Sequence, residues 1–122
     1  MIYIVEDDQS INRGFELFLE SAGMEFRTFQ NANDFLSACE PNEKDILILD
    51  LNLPKISGFD LLKKLDHKGL HIPVIVVTAF NDEHSRQICK QYGVKAYLRK
   101  PVDGEAIIDL IKFNQPHNSK SE

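Results

Sequence analysis

Soft metal ligands, disulfide staples and membrane-length apolar runs are all scarce or missing here. The only cysteines are Cys39 and Cys89, far apart, and no His or Cys stands at metal-ligand spacing. Both thiols are therefore expected to be reduced and buried, not bridged or metal-bound. No apolar run approaches the ~18 residues of a membrane span. The opening MIYIVEDDQ has neither a basic leader nor a small-residue cleavage site, so the expectation is a soluble, unprocessed, cytoplasmic protein. Positive charge is in deficit: 14 Lys and Arg against 19 Asp and Glu leave a net charge of −5. Without a basic cluster, direct nucleic-acid binding by this chain is not expected. The four histidines show no pairing and are assigned to the surface. Internal repeats and low-complexity stretches are absent.

What is present suits one domain. A chain of 122 residues with 43% hydrophobic content can fill one shared core without staples. The short runs IYIV (2–5), DILIL (45–49) and IPVIVV (72–77) are rich in Ile and Val and lack polar alternation, as parallel strands covered on both faces require. MEFRTF (24–29) alternates and carries Arg27, which suggests an edge strand. Between the runs the period is helical. Ile11, Phe15, Phe18, Leu19 and Ala22 mark one face of a first helix; Phe59, Leu61, Leu62 and Leu65 suit a third, and Ile107, Ile108, Leu110 and Ile111 a last.

Punctuation supports the division. Gly23, Gly69 and Gly93 stand where helix ends need a left-handed residue. Asn31, Ser57, Asn81 and Asp103 stand where first-turn amides need an acceptor, and Asp8 suits the first helix in the same way. Val102 is placed to staple onto Ile107. Five βα units follow, with strands near 2–6, 25–29, 45–50, 72–77 and 95–99. Repeated βα alternation implies an α/β fold, a parallel sheet wrapped on both faces by helices. The end of the chain, FNQPHNSKSE, is polar and reads as a frayed tail or linker stub.

In such a sheet ligands gather at the strand carboxyl ends. Strand one ends in Glu6-Asp7-Asp8, strand three in Asp50, strand four in Thr78 and strand five in Lys100-Pro101. A lone acid after a strand is usually a cap or a solvated turn, but these groups converge from four segments. Carboxylates brought together repel unless a cation neutralises them. All-oxygen ligands favour a hard ion, and Mg²⁺ keeping several waters fits better than caged Ca²⁺. Such an ion makes room for a phosphoryl group, whose other oxygens Lys100 and the Thr78 hydroxyl would meet.

The motifs VEDD (5–8), LDLNLPKISGFDLL (49–62), VVTA (76–79) and YLRKP (97–101), in this order and at these spacings, resemble those of bacterial two-component response-regulator receivers. The resemblance runs from Ile2 to about Phe113. It implies a receiver domain over 1–113 with a tail over 114–122, and a flavodoxin-like (βα)5 fold of strand order 2-1-3-4-5. It further implies that Asp50 is the phosphoacceptor and Asp7 the direct metal ligand. Glu6 would act through a metal-bound water and Asn52 through its backbone carbonyl, with Mg²⁺ as cofactor and Mn²⁺ as a substitute. Lys100 would bind a phosphoryl oxygen ahead of a cis bond to Pro101. Thr78 would be the switch hydroxyl and Tyr97 its aromatic partner, while Pro54 and Gly58 shape the loop after Asp50. Asp60 and Asp45 are assigned to surfaces. Phe80 brings apolar bulk to the pocket mouth, where it would shield the acyl phosphate. The remaining fragment FLSACEPNEKDILILDLNLP looks more like receivers joined to DNA-binding effectors than like the chemotaxis type.

The implied function is a phosphorylation-dependent signalling switch, fed by a sensor histidine kinase or phosphotransfer protein. Such a chain is not an enzyme in the ordinary sense, although it assists its own phosphorylation and dephosphorylation. Partner binding or homodimerisation falls to the face of helix four, strand five and helix five. A degenerate receiver serving as a binding scaffold is the alternative, but Asp50, Asp7 and Lys100 are all in place. A flavin carrier would need a small-residue phosphate loop where EDDQSIN places acids. An aspartyl phosphatase would draw its nucleophile from strand one.

Overall fold

The computed structural model describes residues 1–38, 40–79 and 82–115. Among the described residues five strands and five helices alternate: β1 (Ile2–Val5), α1 (Gln9–Ser21), β2 (Phe26–Phe29), α2 (Ala32–Ala38), β3 (Ile46–Leu49), α3 (Gly58–His67), β4 (Val74–Thr78), α4 (Glu83–Gln91), β5 (Ala96–Arg99) and α5 (Gly104–Asn114). All neighbouring strands pair in parallel, in the order β2-β1-β3-β4-β5. The expected α/β doubly wound sheet is therefore present, with β2 at an edge.

The apolar runs explain the layering. Strand side chains point to alternate faces, and continuous Ile/Val/Leu runs leave neither face polar. Val5, Leu47, Leu49 and Val76 join Phe35 of α2, Leu61 of α3 and Cys89 of α4 on one side. Ile4, Ile48, Ile75 and Val77 join Phe15 and Leu19 of α1 and Ile107 and Ile111 of α5 on the other. Full burial of each such Ile or Leu contributes on the order of 1.5–3 kcal/mol. At β2, which only one neighbour covers, just partial burial is reached and Arg27 is exposed.

Most of the punctuation falls where expected. Gly23, Gly69 and Gly93 have φ of 70°, 70° and 75°. The Asp8, Ser57 and Asp103 side chains accept first-turn amides of α1, α3 and α5, and Asn31 Oδ1 accepts the Asp34 N–H at 2.8 Å. Helix α4 differs, because its cap is Asp82, which accepts the Ser85 N–H at 2.7 Å, one residue past the expected Asn81. Phe18 and Ala22, expected on the inner face of α1, are exposed, and Asn12 is buried beside Phe15 and Leu19. Asp45, expected at the surface, is buried and accepts the Asn42 N–H at 3.0 Å. His67, His71 and His84 are exposed, as expected. The expectations for Cys39, Phe80, Asn81 and the chain after Gln115, His117 included, lie outside the described residues. Among the described residues no helix is long and apolar enough to cross a membrane.

Candidate functional site

Strand register builds the site. Val5 of β1 and Leu49 of β3 are partners across the sheet, so the residues that follow, Glu6 and Asp50, emerge side by side at the carboxyl rim. The backbone continues to hold them there: Asp50 N–H donates to Val5 O at 3.0 Å and Glu6 N–H to Phe29 O at 3.0 Å. On the far side Thr78 pairs with Arg99, and Lys100 N–H donates to Thr78 O at 2.8 Å. The acids and the lysine thus leave rigid strand ends. This is the arrangement that holds side chains in place most reliably.

Glu6, Asp7 and Asp50 each offer a carboxylate oxygen, and the three oxygens lie within 4.8 Å of one another. Glu6 and Asp50 are buried while Asp7 is exposed. Lys100 reaches in from β5, its Nζ 2.5 Å from Glu6 Oε1 and 3.2 Å from Asp50 Oδ2. The Asn52 N–H donates to Asp50 Oδ1 at 3.1 Å, and the Asp8 N–H to Glu6 Oε2 at 3.2 Å. Burial pushes the Glu6 carboxyl up to about 7, against the lowering effect of its bond to Lys100. Burial acts to lower the Lys100 pKa, but its bond to Glu6 and the charge of Asp50 outweigh it and the net shift is upward.

The loop after Asp50 folds back closely. Pro54 and Lys55, with φ of 66° at Lys55, turn the chain, and Gly58 N–H donates to Leu51 O at 2.9 Å. A Cβ at Gly58 would sit 2.6 Å from both Asp50 O and Leu51 Cα, so only glycine fits. The Lys100–Pro101 peptide bond is cis. Thr78 is fully buried at the end of β4. Tyr97 is half-buried on the α4 side, packed against the cluster that contains Cys89, with the Arg86 guanidinium 4.8 Å above its ring centroid.

Glu6, Asp7, Asp50 and Lys100, read from three motifs, are thereby brought together. Asn52 adjoins them through its backbone, and Thr78 through the carbonyl that holds Lys100. One contributor escaped the sequence reading. Asn12 Nδ2 donates to Glu6 O at 2.6 Å from a buried position. Its signal was a polar residue in the stripe Asn12–Phe15–Leu19 of α1. As for a metal, the donor set is three hard carboxylates with no sulfur or imidazole. That fits a divalent cation of the Mg²⁺ kind.

Comparison with known proteins agrees. The response regulator receiver domain family matches residues 2–112, and the chain belongs to that family. It is 33% identical over 113 residues to the polar-differentiation response regulator DivK of Brucella anthropi, covering 91% of this chain and 92% of that protein. It is 32% identical over 111 residues to the transcriptional regulatory protein FixJ of Azorhizobium caulinodans, covering 91% of this chain and 53% of FixJ. With the DNA-binding transcriptional regulator NtrC of Salmonella typhimurium it shares 33% identity over 122 residues, covering all of this chain and 26% of NtrC. The chain thus spans about a quarter of NtrC and half of FixJ. Among solved structures, FixJ-N superposes with a TM-score of 0.81 at 27% identity, covering 92% of this chain and 89% of that one.

Proposed function

We propose that this chain is a phosphorylation-dependent switch of a two-component system, in which Asp50 accepts a phosphoryl group from a sensor histidine kinase or phosphotransfer protein. The observation that carries the reading is the placement of Lys100 Nζ 3.2 Å from Asp50 Oδ2 beside the acids of β1. In the transfer, the donor's N–P bond breaks and an Asp50 oxygen forms the new O–P bond, giving an acyl phosphate. Lys100 then meets a phosphoryl oxygen and offsets its charge. Glu6, Asp7, Asp50 and the Asn52 carbonyl would hold Mg²⁺, or Mn²⁺ in its place. The chemistry such an ion supplies there is neutralisation of the carboxylates and of the phosphoryl oxygens.

The domain would extend over 1–113, with 114–122 as a tail. In the cell the switch would be cytoplasmic, and its chemistry confined to assisting its own phosphorylation and dephosphorylation. Readout would run through the Thr78 hydroxyl and the Tyr97 ring to the α4–β5–α5 face, which would engage a partner or a second copy. A phosphorylation-independent scaffold would have no use for a half-buried lysine clasped by two buried acids. Intact mass spectrometry after incubation with a small phosphodonor and Mg²⁺ tests the reading. One labile phosphoryl group is expected, absent in Asp50→Asn; equal labelling of that variant would overturn the assignment.

A further inference from the structure

Gly104 opens α5, four residues past Lys100, and it is buried. It is not among the glycines with positive φ, so backbone freedom does not explain it. Space does: a Cβ there would lie 2.4 Å from Cδ1 and Cε1 of Phe18 and 2.6 Å from its Cζ. The Phe18 ring occupies the volume a side chain at 104 would need, although Phe18 is itself 41% exposed and adds little to the core. An aromatic ring laid over the first turn of a neighbouring helix sets how closely the two can approach.

That spacing bears on the site. Phe18 and Val102 line two adjoining hollows in the seam between α1 and the 100–104 segment. Lys100 lines one of them together with Ile11, Phe15 and Pro101. The segment is tethered at one end by the Lys100 N–H bond to Thr78 O. At the other end, Asp103 caps α5 through the Glu105 N–H at 3.2 Å. Between these tethers, the Phe18 ring lies over Gly104 where the segment meets α1, outside the buried α1–α5 contacts of Phe15, Leu19, Ile107 and Ile111.

We propose that Phe18 and Gly104 form a positioning pair that seats the Lys100 segment against α1 and so aims the Lys100 ammonium between Glu6 and Asp50. The proposal rests on the phosphoryl-transfer reading for its functional consequence, but not for its geometry. A displacement of about 1 Å in a positioned group lowers rates by up to about a hundredfold.

The test uses the full chain as wild type, Gly104→Ala, Phe18→Ala and the double variant. Two quantities are read: the rate of phosphorylation by phosphoramidate with Mg²⁺, resolved into its saturating rate and its donor dependence, and the nitrogen-15 ammonium signal of Lys100, assigned by its loss in Lys100→Met. Gly104→Ala is expected to lower the saturating rate about tenfold and to shift the Lys100 signal. Adding Phe18→Ala, which removes the colliding ring, should return both toward wild type. If Gly104→Ala leaves both quantities unchanged, or if the double variant shows no recovery, the proposal is wrong. Should Gly104→Ala fail to fold, Phe18→Leu, which loosens the contact without adding atoms, must still shift the Lys100 signal. A wild-type chain that takes no phosphoryl group would sink the proposed function, while the ammonium signals would still decide the positioning claim.

Discussion

Lys100 Nζ and Glu6 Oε1, from opposite ends of the chain, lie 2.5 Å apart in a pocket where Glu6 is 1% exposed. The same ammonium touches Asp50, so it occupies oxygens that a divalent cation would need. In the proposed site, ammonium and metal would therefore compete. Lys100→Met is expected to bind Mg²⁺ about tenfold more tightly, close to 1.4 kcal/mol, by titration calorimetry. The variant should also accept phosphate more slowly. Unchanged affinity would show that metal and lysine use separate oxygens.

Burial raises the Glu6 carboxyl from 4.5 in an unstructured chain to about 7 in the fold. Folding thus favours the protonated form, and the associated stability is complete below about 4.5 and lost as pH climbs through about 7. Metal-free protein should lose on the order of 1–3 kcal/mol across that window. Denaturant titrations at several pH values measure this, and Glu6→Gln should flatten the curve. A wild-type curve that rises with pH here would contradict the burial argument.

Metal binding should act in the opposite direction. Mg²⁺ at a hundred times its Kd is expected to stabilise the fold by about 2.7 kcal/mol through mass action, visible as a higher Tm. Asp7 is the exposed member of the cluster, so Asp7→Ala should remove the metal response and leave the fold intact. A full response in Asp7→Ala would place the ion elsewhere.

Gly58→Ala should be costly for a steric reason. Its new methyl would meet backbone, at 2.6 Å from Asp50 O and Leu51 Cα, and backbone cannot rotate aside. A loss of about 1–3 kcal/mol is expected, with slower phosphorylation because the loop carrying Asp50 must shift. Near-wild-type stability and rate would mean that the loop yields freely.

Thr78→Ala probes the readout. The variant should still take a phosphoryl group at Asp50, but amide hydrogen exchange with beryllofluoride should change less around residues 82–99 than in wild type. Helix α4 buries only Ser85 and Cys89, so few apolar anchors hold it in place. A full response in Thr78→Ala would rule out the hydroxyl as the switch.

Much of this was legible in advance because parallel strands need uninterrupted apolar runs, and β1, β3 and β4 have them. The acids just past β1 and β3, and the lysine just past β5, had nowhere to go but the rim. Other features depend on three-dimensional neighbours that no local pattern encodes. Phe18 satisfied the helical period of α1 yet lies outside, over Gly104. Asp45 resembled a loop acid, but the backbone N–H of Asn42, three residues back, donates to its carboxylate and offsets the cost of its burial. The α4 cap fell on Asp82, not Asn81, since both residue types serve and only the helix geometry chooses. The Glu6–Lys100 contact was hidden for a related reason: two groups assigned to metal and phosphoryl oxygen also fit each other.

Glu6 and Asp50 adjoin only because Val5 faces Leu49 across the sheet. Were β3 to pair one residue out of step, Asp50 would turn to the opposite face, and no partial site would survive. Under the proposed function, labelling competence would therefore be a census of correctly threaded molecules. In a refolding mixture, the fraction able to take up phosphate would count the chains whose central strands found their proper alignment, with no structural probe required.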